Sequence, residues 1–127
     1  MANPSTDGPT SANGTEILRR SYAQGVGDGG ASYLINGTAG YIYTILSIVV
    51  GNAVSTAEDF YVLLFADGVD STATRIDLIP TMTLGGKETF VFNDRLVLAG
   101  ADEIKFYGNT SGCDFDVWCS YIEQRWV

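Results

Sequence analysis

The sequence predicts an all-β protein: an antiparallel β-sandwich, jelly-roll-like, with about seven to eight strands. From residue 31 onwards, short apolar or alternating runs of strand length are interrupted by Gly, Asn and Asp. The interruptions come about every ten residues, which is typical of sandwiches and barrels. The runs are rich in β-branched and aromatic residues, which favour strands, and none has the pattern of an amphipathic helix.

Residues 1–30 are predicted to form a flexible N-terminal arm, and residues 31–127 the sandwich domain. Residues 1–14 are rich in Pro, Ser, Thr, Asn and Gly, so they bury too little apolar surface to offset the entropy of ordering. Ile17, Leu18 and Tyr22 interrupt this polar composition. The sequence leaves two interpretations of this apolar segment open: it docks on a neighbouring subunit, or it forms an edge strand or helical turn on its own chain.

The first half of the domain contains three predicted strands, at residues 31–35, 41–50 and 59–65. Asn36-Gly37 ends the first, because both residues accommodate the positive φ of a tight reversal. The second is apolar on both of its faces, so it is central or lies at a subunit interface. By strict alternation, its two faces carry Ile42, Leu46, Ile48 and Val50, and Tyr41, Tyr43, Ile45 and Val49.

The second half contains four predicted strands, at residues 74–84, 88–98, 103–107 and 115–122. The first of them alternates, with Ile76 and Leu78 inward, and its Pro80 indicates an edge or a bulge because proline has no N–H to donate. A break is expected near residues 93–94. In the last strand, Trp118 lies on the face opposite Cys119.

The composition limits the possible functions. The chain of 127 residues has a formal net charge of −8 and no basic stripe, so we expect no nucleic-acid binding. It has no histidine, which removes the commonest general base and the usual nucleophile pairs, so we expect no enzyme. The most apolar run, residues 41–50, is far shorter than the roughly 20 residues that cross a bilayer, so we expect no membrane insertion.

No residue is assigned a catalytic, cofactor-binding or metal-binding role. Asp67 and Asp70 could offer oxygens to Ca²⁺, but their spacing does not fit the EF-hand loop and is typical of an Asp-Gly turn. Cys113 and Cys119 have no metal-ligand spacing, and in one strand they would lie roughly 20 Å apart, too far for a disulfide. We expect two reduced thiols.

Four stretches of the sequence, residues 14–20, 42–52, 96–104 and 119–126, together resemble a family of small virion-associated proteins of tailed bacteriophages. Proteins of this kind are β-sandwiches with an N-terminal arm. The resemblance implies a structural role in the capsid, neck, tail or fibre, and it carries no catalytic residue.

The resemblance therefore implies a non-enzymatic virion protein, above all a capsid decoration or cement protein. Such a protein would form a homo-oligomer, with a trimer favoured, and dock on other virion subunits. It would be assembled in the host bacterial cytoplasm, where thiols stay reduced. A tail, neck or fibre adaptor is the alternative, and a carbohydrate-binding module is a second alternative. The residues expected to make the docking contacts are Ile17, Leu18, Tyr22, Tyr41, Tyr43, Trp118 and Trp126.

Overall fold

The computed structural model describes residues 16–125, and in this range it contains nine β-strands and one 3₁₀ turn, Ala66–Gly68. The strands are β1 Glu16–Val26, β2 Ala31–Asn36, β3 Tyr41–Asn52, β4 Glu58–Phe65, β5 Arg75–Leu84, β6 Thr89–Phe92, β7 Leu96–Ala99, β8 Glu103–Gly108 and β9 Phe115–Arg125. No helix within the described residues has the length and apolar character needed to cross a membrane.

The strands form two antiparallel sheets. The first sheet has the order β1-β9-β3-β6, with β7 pairing the other half of β3, and the second sheet has the order β2-β8-β4-β5. The pairs are nested: β1 with β9, β2 with β8, β3 with β6 and β7, and β4 with β5. Nested antiparallel pairs divided between two sheets make a jelly roll. The predicted β-sandwich is confirmed.

The predicted strand over residues 88–98 is divided into β6 and β7 by the expected break. Both short strands pair with β3, β6 with residues 48–51 and β7 with residues 42–45. Together they occupy one strand position at the edge of the first sheet.

Residues 16–26 correct the expectation of a flexible segment over residues 1–30. They form the edge strand β1, paired with β9 along its length, which was the second of the two interpretations. Arg19 Nε lies 2.7 Å from Glu123 Oε2, and Ser21 Oγ donates a hydrogen bond to the Leu34 carbonyl at 2.5 Å. These contacts, with the burial of Ile17, fix the strand on its own chain. Residues 1–15 lie outside the described residues.

The core lies between the sheets and contains a cluster of three fully buried rings, Phe60, Phe106 and Phe115. Their centroids lie 5.4 to 5.7 Å apart, within the range of favourable aromatic pairs. The rings come from β4, β8 and β9, so the cluster joins the two sheets.

A β-bulge in β3 corrects the predicted division of its faces. The register with β9 shifts between Ile45 and Ser47, which makes Leu46 the extra residue. A bulge inverts the alternation beyond it. Tyr43, Ile45, Ile48 and Val50 are therefore all buried in the core, while Val49 is only partly buried.

Candidate docking surface

The outward surface of the first sheet carries an unusual number of exposed apolar side chains. Among the described residues, eight large apolar side chains are exposed, and five of them lie on this surface. We call it the apolar face, and it contains Leu18, Tyr22, Val91, Val97 and Trp118. Antiparallel sheets usually present polar residues to solvent, so this face departs from the normal pattern.

The apolar face is organised in two rows that run across the strands. The upper row is Tyr22, Trp118, Val49 and Val91, and the lower row is Leu18, Ile122, Thr44 and Val97. The rows are four residues apart along β9, about 13 Å at strand spacing. Each row spans all four strand positions of the sheet; the upper row is apolar throughout, and the lower row is interrupted by Thr44.

The centre of the upper row is an aromatic stack. The rings of Tyr22 and Trp118 lie 5.9 Å apart at an interplanar angle of 19°. The Arg20 guanidinium carbon lies 5.2 Å and 5.1 Å from the two ring centroids, close enough for cation–π attraction. Beside the stack is a depression of about 370 Å³, with Val49 and Thr89 in its lining.

The apolar face contains little charge although the chain is strongly acidic. By strand register, the charged residues that point outward from this sheet are Glu16, Arg20 and Asp116. Glu16 accepts a hydrogen bond from the Gln124 amide at 2.6 Å, and Asp116 accepts one from the Gly25 N–H at 3.0 Å. The net charge of −8 therefore resides mainly on other surfaces.

The structure brings together three of the predicted docking residues, Leu18, Tyr22 and Trp118, on the apolar face. Ile17 and Tyr43 are 5% and 4% exposed, so both are corrected to core positions. Tyr43 also accepts a hydrogen bond from the Thr38 N–H at 3.0 Å.

Two further predicted docking residues lie elsewhere. Tyr41 is partly buried and stacks on Tyr43 at 6.3 Å, away from the apolar face. Trp126 lies outside the described residues.

Val91 and Val97 were missed by the sequence analysis. Each lies in a four-residue strand, too short for alternation to distinguish an exposed face from a buried one. The available signal was the apolar character of both faces of β3, which predicted a central or interface strand. Val91 and Val97 extend the outward face of β3, where they pair with Val49 and Thr44.

Of the two carboxylates considered for Ca²⁺, that of Asp70 is engaged within the chain, and Asp67 takes part through its backbone N–H. Asp70 Oδ2 accepts a hydrogen bond from Lys105 Nζ at 2.6 Å, and the Asp67 N–H donates to Asp102 Oδ1 at 2.9 Å. Asp67 has a positive φ of 55°, as in a tight turn.

The two cysteine thiols are both free and buried. Burial raises the pKa of Cys119 to about 11, partly offset by a hydrogen bond with Ser21. Among the described residues there is no group of three or more His, Cys, Asp or Glu side chains arranged to hold a metal ion.

No protein-family model and no curated protein matches the chain. Solved structures do match its fold. A chain from the Bacillus endospore appendages, disulfide-linked pili, aligns at a TM-score of 0.56 and 14% identity, over 96% of this chain and all of that one. A chain from infectious bursal disease virus, Gt strain, aligns at 0.52 and 10% identity over 98% of this chain.

The present chain spans 36% of the viral chain. At these identities the similarity establishes a shared fold.

Proposed function

We propose that this protein is a non-enzymatic structural subunit of a virus particle that associates through its apolar face. One observation carries the proposal: five exposed large apolar side chains share one sheet surface of a protein whose net charge is −8. Large apolar patches on a soluble surface mark interaction sites. Depletion of charge with enrichment of Tyr, Trp and Arg is typical of the centre of a protein interface.

The occupant that fits this face best is a second copy of the chain. Arg20 and Asp116 lie on opposite sides of the Tyr22–Trp118 pair, each two residues from one of the rings. A second copy placed antiparallel on the face brings Arg20 of each copy towards Asp116 of the other. In such a contact Arg20 and Asp116 form ion pairs between the two copies, so no different partner is needed to pair these charges. This reciprocal contact is two-fold and makes a dimer; the trimer that the resemblance to phage virion proteins favours would instead need a head-to-tail contact on the same face.

The proposed location is the outside of a bacteriophage capsid, as a decoration or cement protein. The four stretches that resemble phage virion proteins support it, as does the fold shared with a chain of a virus and a chain of an extracellular appendage. The disulfide linkage of those appendages is not proposed for Cys113 and Cys119, because both thiols are buried. A neck, tail or fibre adaptor is the second candidate, and it would use the same apolar face.

Self-association is tested by analytical ultracentrifugation of the wild type and of Trp118→Glu. The new carboxylate lies at the centre of the apolar face, so we expect the oligomer to dissociate. Ile76→Glu is the matched control, since Ile76, which the sequence predicted to point inward, is instead 51% exposed on the other sheet, close to the 47% of Trp118. A monomeric wild type, or a Trp118→Glu variant that associates like the wild type, contradicts the proposal.

The location is tested by immunogold electron microscopy of purified phage particles with an antibody to this domain. Label over the heads supports capsid decoration. Label confined to the neck or tail supports the adaptor role. Unlabelled particles, with an antibody that detects the free protein, contradict both positions.

A further inference from the structure

The outward surface of the second sheet contains a groove that the proposed docking role does not use. Its larger part has a volume of about 520 Å³ and its smaller part about 210 Å³. Both parts are lined by Tyr61, Leu63 and Arg75, so they are two sections of one depression. We call it the tyrosine groove. It lies on the opposite side of the sandwich from the apolar face.

The groove exists because β5 departs from regular pairing. Its register with β4 shifts twice between Asp77 and Met82, and each shift leaves one extra residue on the β5 side. Pro80 lies in this stretch and cannot donate a ladder hydrogen bond. Bulges bend and twist an edge strand. The outer wall of the groove therefore stands away from the surface of the sheet.

The floor of the groove is an aromatic platform, of which Tyr61 lines both sections and Tyr107 only the smaller one. Tyr61 and Tyr107 face each other on β4 and β8, and their rings are nearly parallel, with centroids 4.8 Å apart and an interplanar angle of 8°. Both side chains are partly buried. Neighbouring packing therefore fixes the platform before any ligand arrives, which reduces the entropy lost on binding.

The wall of the larger section is polar. It carries the side chains of Arg75, Asp77, Thr81 and Asn109, all of them exposed. Arg75 Nε and Asp77 Oδ1 are 3.9 Å apart, too far for a hydrogen bond. Among the described residues, no side-chain hydrogen bond engages these four groups. Donors and acceptors thus converge beside the ring of Tyr61, which lines the same section.

We propose that the tyrosine groove binds a neutral oligosaccharide. A pyranose ring has an apolar C–H face that stacks on an aromatic ring and a rim of hydroxyls that both donate and accept. Arg75 supplies donors, Asp77 an acceptor, and Thr81 and Asn109 both. The mixture of an apolar floor and a few convergent polar groups is typical of small-molecule sites.

The charges of the groove disfavour anionic ligands. Arg75 is accompanied by Asp77 in the larger section and by Asp70 in the smaller one, and the chain as a whole has a net charge of −8. Phosphates and sulfated sugars would meet a repulsive field. The carboxylates suit hydroxyl donors instead. The proposal does not depend on the apolar face, since the two surfaces are on opposite sheets.

The proposal is tested by ¹⁵N–¹H NMR titration of the full chain with cellohexaose, chitohexaose, maltohexaose and mannohexaose, and with a heparin hexasaccharide as the anionic comparison. We expect at least one neutral sugar to shift the amides of Tyr61, Arg75, Tyr107 and Asn109. No shift with any neutral sugar, or shifts centred on Trp118, would overturn the proposal. Tighter binding of the heparin fragment than of every neutral sugar would also overturn it.

Matched variants identify the surface that binds. Arg75→Met and Tyr61→Ala are expected to weaken binding at least about tenfold, while Tyr22→Ala on the apolar face leaves it unchanged. Arg75 is exposed, so its variant keeps the test valid if Tyr61→Ala does not fold. Wild-type affinity in a folded Arg75→Met variant contradicts the proposed role of the polar wall.

Discussion

Lys105 Nζ lies 2.6 Å from Asp70 Oδ2, although the lysine side chain is 7% exposed and the aspartate side chain 60%. The ammonium also lies 4.7 Å and 5.0 Å from the rings of Tyr33 and Phe65. The hydrogen bond to Asp70 raises the pKa of Lys105 well above its usual range, against the opposing effect of burial. The carboxylate of Asp70, in the loop between β4 and β5, thus stabilises the buried ammonium of Lys105 in β8.

We predict that Asp70→Asn destabilises the protein by about 1–3 kcal/mol, because the buried ammonium loses its hydrogen-bonded anion and keeps only Glu103 Oε1 at 4.0 Å, beyond hydrogen-bond distance. Lys105→Met is expected to cost less, since it removes the buried charge and leaves its closest partner, Asp70, in solvent, while Glu103 loses only a contact at 4.0 Å. Urea unfolding at neutral pH measures both variants. A Lys105→Met variant less stable than Asp70→Asn would contradict this account.

The same pair predicts an alkaline pH dependence. Lys105 has a raised pKa in the folded state. Its contribution to the free energy of unfolding is therefore complete below its pKa in the unfolded chain, about 10.4, and is lost as pH rises through its pKa in the folded state. The difference in unfolding free energy between the wild type and Asp70→Asn should therefore be constant at neutral pH and shrink above about pH 10.4. A difference that grows with pH would contradict the prediction.

Asn52 is 3% exposed and connects the two sheets. Its amide nitrogen donates to the carbonyls of Thr56, Leu84 and Gly85 at 2.9, 3.1 and 3.2 Å, and its oxygen accepts from the Val54 N–H at 3.1 Å. Asn52→Ala should cost about 2–3 kcal/mol in urea unfolding, because these buried groups lose their partner.

Asn52→Asp is expected to cost more than the alanine variant at neutral pH, since a carboxylate has no donors and faces three carbonyl oxygens. Burial would raise the pKa of the new carboxyl above the unfolded value of about 3.9, so the destabilisation should increase as pH rises above that value. Equal stability of the two variants at neutral pH would show that the donors of Asn52 are unimportant.

The buried cysteines are predicted to be unreactive in the folded protein. With a pKa of about 11, Cys119 carries about 100-fold less thiolate at neutral pH than a thiol of pKa 9. Ellman's reagent should therefore label neither cysteine until urea unfolds the chain, and non-reducing gels should show no linked multimer. Rapid labelling of two thiols in the native protein would contradict the observed burial.

We predict that replacing Gly37 by any residue with a side chain destabilises the protein. A Cβ at this position would overlap the carbonyl oxygens of Gly100 and Asp102, both of them backbone atoms that cannot rotate away. Gly37→Ala should cost about 2–3 kcal/mol. Gly27→Ala is the matched control, since its Cβ would meet nothing nearer than 3.8 Å. Similar melting temperatures for the two variants would contradict the steric argument.

The strands from β2 to β9 were predictable because each is a β-rich run bounded by Gly, Asn or Asp, and these are local signals. The bulge at Leu46 was not, because it is defined by the register of β3 against β9, and local alternation contains no information about a partner. The same limit applies to β1. Its apolar residues could serve a neighbouring subunit or this chain, and only the pairing with β9 distinguishes the two.

The sequence predicted some residues of the apolar face correctly and others incorrectly, because it gives the chemistry of a side chain but not the face of the sheet on which it lies. Tyr22 and Trp118 are aromatic residues in a protein without an enzymatic motif, so they were natural docking candidates. Ile17 and Tyr43 have the same chemistry but lie inward. Side chains alternate between the two faces of a strand, and each bulge inverts that alternation for the residues beyond it. The sequence does not specify where the bulges occur, so it does not specify which side chains face the core.

The pairing of β1 with β9 also determines when the apolar face is complete during synthesis of the chain. Arg19 and Glu123, which bond each other, are 104 positions apart, and at typical translation rates a ribosome needs roughly 5–20 s to cover that distance. Throughout that interval Tyr22 has no Trp118 to stack on, and the apolar rows are incomplete. The face that we propose for self-association is thus complete only after β9 has been synthesised, so a nascent chain without β9 cannot present it.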